Sequence, residues 1–262
     1  MWELRPGDPR EIGVHRVTRR LGGGAQGPVY LCTAPDGAQV AVKLMRPFDR
    51  PSSQERQQAA RRFAHEYLYV QRLALVGVAS VLDTGWIGDR PYIVSEYVAG
   101  PSLRQAVEAR GPVPDTALER LATETLSALV SLHEAGVVHG DVKPDSVLMG
   151  PDGPRLAGYG LVRATAPADV RGWAETMVFA CTGTLDSENV PDPLYDLVEA
   201  ALEEDPSRRP TARQALDHLR GAALMPPEED EGRDLLDWLI IALAGLAALL
   251  VTVLVLLLTD PW

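Results

Sequence analysis

Three groups of residues in this chain could do chemistry together. The first is Gly22-Gly23-Gly24-Ala25-Gln26-Gly27-Pro28-Val29. Glycines lack a Cβ, so their backbone N–H groups can approach phosphate oxygens closely. Taken alone, the stretch reads equally well as a glycine-rich hairpin turn. It is not a dinucleotide-binding fingerprint, because a strand-like run, Val29-Tyr30-Leu31-Cys32, follows where that motif requires a helix. The second is Lys43, which closes the apolar run Val40-Ala41-Val42. A lone lysine ending a strand is usually a solvated residue; at this distance behind a glycine loop the functional reading is the better one. The third is His139-Gly140-Asp141-Val142-Lys143-Pro144-Asp145-Ser146, followed after a Pro-Asp-Gly turn by Gly158-Tyr159-Gly160. One acid before Lys-Pro means little. The order and spacing of all three groups mean more.

His139 to Gly160 resembles the catalytic and metal-binding loops of eukaryotic-like protein kinases, H-R-D-L-K-P-x-N followed by D-F-G. Gly22 to Val29 fits that family's G-x-G-x-x-G-x-V at every fixed position, and Val40 to Lys43 fits V-A-I-K. Glu66, three residues after Phe63, resembles the helix glutamate that pairs with the strand lysine. Glu96 to Val98 looks like the hinge whose backbone faces adenine, with Ser95 as a small gatekeeper. Asp205 to Ala212 matches the late motif D-P-x-x-R-P-T-A. The lead-in Leu4 to Gly13 is similar to the start of actinobacterial members. The resemblance implies Asp141 as catalytic base and Lys143 as a contact to the transferred phosphate. It implies an ATP pocket from Gly22, Gly24, Gly27, Val29, Ala41, Lys43, Glu66, Glu96 and Val98. His139 is implied to pack behind the site against Tyr159, and Asp169 to buttress the catalytic loop.

Against that pattern the chain departs where charge matters. Gly158 stands where the metal-binding aspartate is implied and offers no side chain. Ser146 stands for the second metal ligand, an asparagine. Magnesium prefers carboxylate oxygens together with substrate phosphates, so no metal ligand is assigned. Gly140 replaces the arginine that answers an activation-loop phosphate. Only about eight residues, Leu161 to Ala168, separate Gly160 from the helix carrying Asp169, and no A-P-E motif follows. Arg209 therefore lacks its implied glutamate partner.

The elements that must position these residues follow from pattern. The chain has 262 residues, 46% hydrophobic and 23% charged, enough for a sizeable core. Net charge is −11 with no basic stripe, which argues against nucleic acid as a partner. Cys32 and Cys181 sit in apolar contexts and read as free core thiols in a reducing compartment. The N-terminus lacks the apolar region of a signal peptide. Strands are expected from Val14, a helix over 54–75, an Asp115-capped helix with a stripe of Leu118, Leu121, Leu126, Leu129 and Leu132, and a short strand at Gly136 to Val138. Helices are also expected from Asp169 to Cys181, from Leu194 to Leu202 and from Thr211 to Leu219. Residues 226–233 form an acidic linker. From Trp238 to Leu258 no charge occurs in 21 positions, roughly 31 Å of helix against a bilayer core of about 30 Å.

The fold expected is α+β: a two-lobed protein-kinase-like fold, with a small antiparallel-sheet lobe over 14–97 and a mainly helical lobe over 98–220. A lead-in (1–13), a linker (221–234), a transmembrane helix (235–258) and a tail (259–262) complete it. The expected function is a membrane-anchored pseudokinase, a signalling scaffold or nucleotide-responsive binding module at the cell membrane with its domain cytoplasmic. ATP is the cofactor the resemblance allows, with magnesium held weakly or not at all. Partners are an unidentified protein, the bilayer and, through Gly245 and its neighbouring alanines, a second copy of the membrane helix. The alternatives are an atypical active Ser/Thr kinase with Asp141 as base and a docking fold with a vestigial pocket.

Overall fold

The structure, a computed structural model, describes residues 2–24, 26–47, 71, 73, 75–159, 164–184, 190–191 and 194–221. Glu66, the helix expected over 54–75 up to residue 70, and the apolar segment 238–258 lie outside them. Residues 1–222 form one compact unit.

Alternation of apolar and polar residues builds the first lobe. Six strands, β1 (Glu11–Ile12), β2 (His15–Gly24), β3 (Gly27–Thr33), β4 (Gln39–Leu44), β5 (Val81–Ile87) and β6 (Arg90–Glu96), pair antiparallel in the order β1-β2-β3-β4-β6-β5. On β4 the period of two buries Val40, Val42 and Leu44 and leaves Ala41 and Lys43 on the opposite face. The buried set packs with Ile12, Val17, Tyr30, Cys32, Tyr92 and Val94. Cys32 is a buried free thiol, which burial pushes up to about 12.

Helical periodicity builds the second lobe: α1 (Leu103–Arg110), α2 (Asp115–Glu134), α3 (Ala166–Thr182), α4 (Leu194–Leu202) and α5 (Ala212–Leu219). Ser102 and Thr211 open α1 and α5 with capping boxes through Gln105 and Gln214. The leucine stripe of α2 is wholly buried. Asp115 does not cap that helix: Pro114 holds the cap position without a side-chain bond, and Asp115 lies in the first turn, where its charge suits the helix dipole. Residues 136–138 form no strand, because Gly136 turns the chain with φ +72° and no neighbouring strand pairs with them. Helix α3 begins at Ala166, three residues before Asp169, with Pro167 in its first turn, where a missing N–H costs nothing. Gly183, at φ +74°, ends it.

The hairpin of β7 (Val147–Gly150) and β8 (Gly153–Leu156) ties the lobes together. Leu156 N donates to Gly77 O at 2.9 Å, and Ala79 N donates to Leu156 O at 2.8 Å. Met149 N donates to Pro101 O at 2.9 Å, which anchors the segment after β6 to β7. Among the described residues, no helix is long and apolar enough to cross a membrane.

Candidate nucleotide site

Strand register carries the glycine stretch to the end of the sheet. Gly22 pairs with Val29, Gly23 with Pro28 and Gly24 with Gly27, so the tip of the β2–β3 hairpin lies beside the end of β4. Gly27 sits at φ +138°, and a Cβ there would come within 2.2 Å of Leu44 O. Only glycine permits that approach. Val29 pairs with Lys43 and Leu31 with Ala41, which brings three of the expected pocket residues, Val29, Ala41 and Lys43, onto adjoining strands. The Lys43 ammonium donates to Gln26 Oε1 at the hairpin tip. Burial pushes Lys43 down to about 8, with Asp141 opposing and Lys143 reinforcing the shift.

Past β6, Glu96 is held by Ser80: Glu96 N donates to Ser80 O at 2.8 Å, and its carboxylate accepts from Ser80 N at 3.3 Å. Both its amide and its carboxylate are thus engaged by Ser80. Val98 is 8% exposed, and no protein hydrogen bond reaches its amide among the described residues. Ser95 Oγ donates to Ala41 O at 3.4 Å, a long bond.

The catalytic-loop stretch is built on Asp169. This 1%-exposed carboxylate accepts from His139 N and Gly140 N, each at 2.7 Å, and lies 2.9 Å from His133 Nε2. Bonds to a buried charge are worth more than neutral ones. The loop backbone is therefore fixed from the first turn of α3. Gly140 takes φ +84°, so at this position the missing side chain also relieves strain. His139 is fully buried; its Nδ1 accepts from Asp141 N at 3.3 Å. Burial pushes it down to about 4 against the pull of Asp169 and Asp141, so it is neutral at pH 7. Its ring lies 6.3 Å from that of buried Tyr159.

Asp141 and Lys143 stand at the surface of the loop and pair with each other, at 33% and 46% exposure. A pair that open to water adds little stability. Ser146 Oγ accepts from Lys143 N at 3.0 Å and donates to Lys143 O at 2.8 Å, so its hydroxyl closes its own turn. Asp145 pairs with Arg104 Nε at 2.7 Å, and that guanidinium lies 4.8 Å over the Phe179 ring. Gly158 takes φ +81°, and among the described residues an ideal Cβ there meets only Lys43 Nζ, at 4.0 Å.

Known proteins place this arrangement. A comparison with protein-family models matches the protein kinase domain over residues 15–184. The chain belongs to the protein kinase domain family. It is 31% identical to the probable serine/threonine-protein kinase PkwA of Thermomonospora curvata over 82% of this chain, and 30% identical to the serine/threonine-protein kinase AfsK of Streptomyces griseus over 81%. It spans about a third of the length of each, 35% and 32%. The solved Mycobacterium tuberculosis PknI kinase domain superposes with a TM-score of 0.67 at 24% identity, covering 81% of this chain and 98% of that one, a likeness of fold. The expected kinase fold, with its antiparallel-sheet lobe and helical lobe, is what the chain adopts. Helices α4 and α5 lie beyond the matched segment.

Membership in this kinase family implies ATP and, typically, magnesium. The groups that the family resemblance assigns to the nucleotide suit ATP: glycine amides, Lys43 and the Val98 amide, which has no protein hydrogen bond among the described residues. Among the described residues, the positions the family uses for magnesium do not fit the metal. Gly158 offers no ligand, the Ser146 hydroxyl is spent within its turn, and the Asp145 carboxylate is spent on Arg104. Among the described residues no group of three His, Cys, Asp or Glu is placed to hold a metal ion.

Two contacts were not legible in the sequence. Gln26 occupies a variable position inside the glycine pattern, where the residue type signals nothing, yet it meets Lys43. His133 reads as a structural residue at a helix end, yet its ring meets Asp169 thirty-six positions away.

Proposed function

We propose that this chain is a membrane-anchored pseudokinase, a signalling scaffold or binding module that responds to nucleotide. One observation carries the reading. Gly158 holds the left-handed backbone conformation 4.0 Å (from its absent Cβ) below the Lys43 ammonium, so a nucleotide-facing lysine is retained where the metal carboxylate is gone. Phosphoryl transfer consists almost entirely of positioning and charge neutralisation, and metal ions supply much of the latter. A site without them holds nucleotide through Lys43 and backbone dipoles and transfers phosphate poorly.

The domain of this reading is residues 14–220, with lobes over 14–97 and 98–220, followed by the acidic linker 221–234 and a membrane helix over 235–258. The uncharged stretch from Trp238 to Leu258 and the tryptophans at both of its ends support the anchor. Free cysteines and a nucleotide-type fold support a cytoplasmic domain. The partner is a protein at the membrane.

The deciding experiment is thermal unfolding of the full chain with ATP, in EDTA and in magnesium, beside a phosphate-transfer assay. At 100 times its dissociation constant a ligand adds about 2.7 kcal/mol. A magnesium-independent rise that Lys43→Met removes is the expected outcome. Transfer that needs magnesium and is abolished by Asp141→Asn would establish an atypical active kinase instead; the exposed Asp141–Lys143 pair is the observation on that side. No rise at millimolar ATP would leave a docking fold. The double variant Gly158→Asp, Ser146→Asn should make the nucleotide response magnesium-dependent, since among the described residues position 158 has room for a side chain, although its φ of +81° strains one.

A further inference from the structure

We propose that Gln26 gates the phosphate seat: its side-chain amide is an internal ligand of Lys43 that an incoming nucleotide phosphate must displace. The proposal rests on the nucleotide-responsive reading above and adds the residue that sets its threshold and its preference for phosphorylated ligands.

The hairpin tip is pinned, not loosely draped. Arg46 N donates to Gln26 O at 3.0 Å, which continues the β3–β4 ladder one step past the strands. Gly27 makes this possible, because any side chain there would strike Leu44 O. With its carbonyl held by Arg46, Gln26 extends its side chain across the gap to the strand lysine. A phosphate cradled by those amides needs the same gap and the same donor. A half-buried ammonium also needs an acceptor to offset its lost hydration. Among the described residues, the carboxylate that acts on Lys43 is Asp141, and it pairs with Lys143. Position 158 supplies none. The neutral Gln26 amide fills that role at a strength a charged phosphate can exceed. Displacement is therefore possible and costs affinity. Adenosine, which has no phosphate, leaves the contact untouched.

The test uses the full chain as wild type, Gln26→Ala, Gln26→Glu and Gln26→Ala with Lys43→Met, titrated with ATP and with adenosine in EDTA. A hydrogen bond to a charged group sets the scale. Gln26→Ala should tighten ATP about tenfold, roughly 1.4 kcal/mol, and leave adenosine within about twofold. Gln26→Glu should weaken ATP by a similar factor, because its carboxylate competes harder and repels phosphate. Lys43→Met should erase the gain. Equal ATP affinity in wild type and Gln26→Ala, or an equal change for adenosine, overturns the gate while leaving nucleotide binding intact. A second readout needs no nucleotide: acylation of Lys43 by an amine-reactive ester at pH 8, read by mass spectrometry. Gln26→Ala should speed it several-fold, and unchanged labelling overturns the contact. Faster labelling with no ATP binding in any variant overturns the nucleotide reading and, with it, the gate's function.

Discussion

Lys43 makes its burial measurable. Its folded pKa of about 8 lies below the 10.5 of a free lysine, so the folded state gives up a proton more readily than the unfolded one. Below pH 8 both states are charged and the full burial cost is present. Stability should therefore rise as pH climbs from 8 to 10.5. Lys43→Met should stabilise the chain at pH 7, by at most about 3 kcal/mol, and lose that advantage across the same window; urea unfolding at pH 7 and pH 10 checks it. On the proposed function, bound ATP would by contrast stabilise the charged amine. Binding at pH 8 should take up a fraction of a proton, visible in calorimetry as a heat that depends on the buffer's ionisation enthalpy. Asp169 is buried and accepts from two loop amides, His139 N and Gly140 N. Asp169→Ala leaves two loop amides without an acceptor and should cost about 3 kcal/mol, read as a lower urea midpoint.

Among the elements, α3 does the most positioning. Its first turn presents Asp169 to the catalytic loop, and its next turn brings Gly172 against Val142. An added Cβ at Gly172 would lie 2.6 Å from Val142 O and 3.1 Å from Val142 Cβ. Helix propensity alone predicts that Gly172→Ala stabilises by about 1 kcal/mol. The clash is with backbone carbonyl, which cannot swing away, so the contact should win. We expect net destabilisation of about 1–3 kcal/mol, seen in thermal unfolding, with ATP affinity reduced because the loop is displaced. Arg209 shows how the second lobe manages its missing glutamate. Its guanidinium donates to Glu203 O, Glu204 O and Pro167 O at 2.7–3.1 Å. Three carbonyls neutralise no charge but satisfy the planar fork, and they tie the start of α3 to the turn after α4.

For the molecule as a whole, acid is the informative perturbation. His139 sits between the lobes' catalytic and Tyr159 segments, and its folded pKa of about 4 lies below the 6.5 of free histidine. The unfolded chain therefore binds the extra proton first. The stability this neutral histidine contributes is complete above pH 6.5 and is lost as pH falls towards 4. His139→Phe should flatten the decline between those values relative to wild type, measured as thermal midpoint against pH. The lobes share backbone ladders through Gly77, Ala79 and Leu156. They should unfold in one transition, and the variant should shift that single transition without splitting it.

What the sequence alone determined is what neighbours in the chain can encode. The period of two on β4 separates Lys43 from the core, capping residues open α1 and α5, and the leucine stripe buries α2. The glycine, Val-Ala-Val-Lys and His-Gly-Asp spacings name the kinase family. Its losses at positions 140, 146 and 158 are also visible in letters, because an absent arginine, asparagine or aspartate needs no structure to be noticed. What only the tertiary structure decided is where each remaining polar group spends its bonds. Asp169 reaches back 30 residues to His139, Gln26 reaches 17 to Lys43, and Asp145 reaches 41 to Arg104. These pairings depend on helix packing and strand register, which bring distant segments within hydrogen-bond range. No local propensity distinguishes the glutamine that covers the lysine from one that faces water.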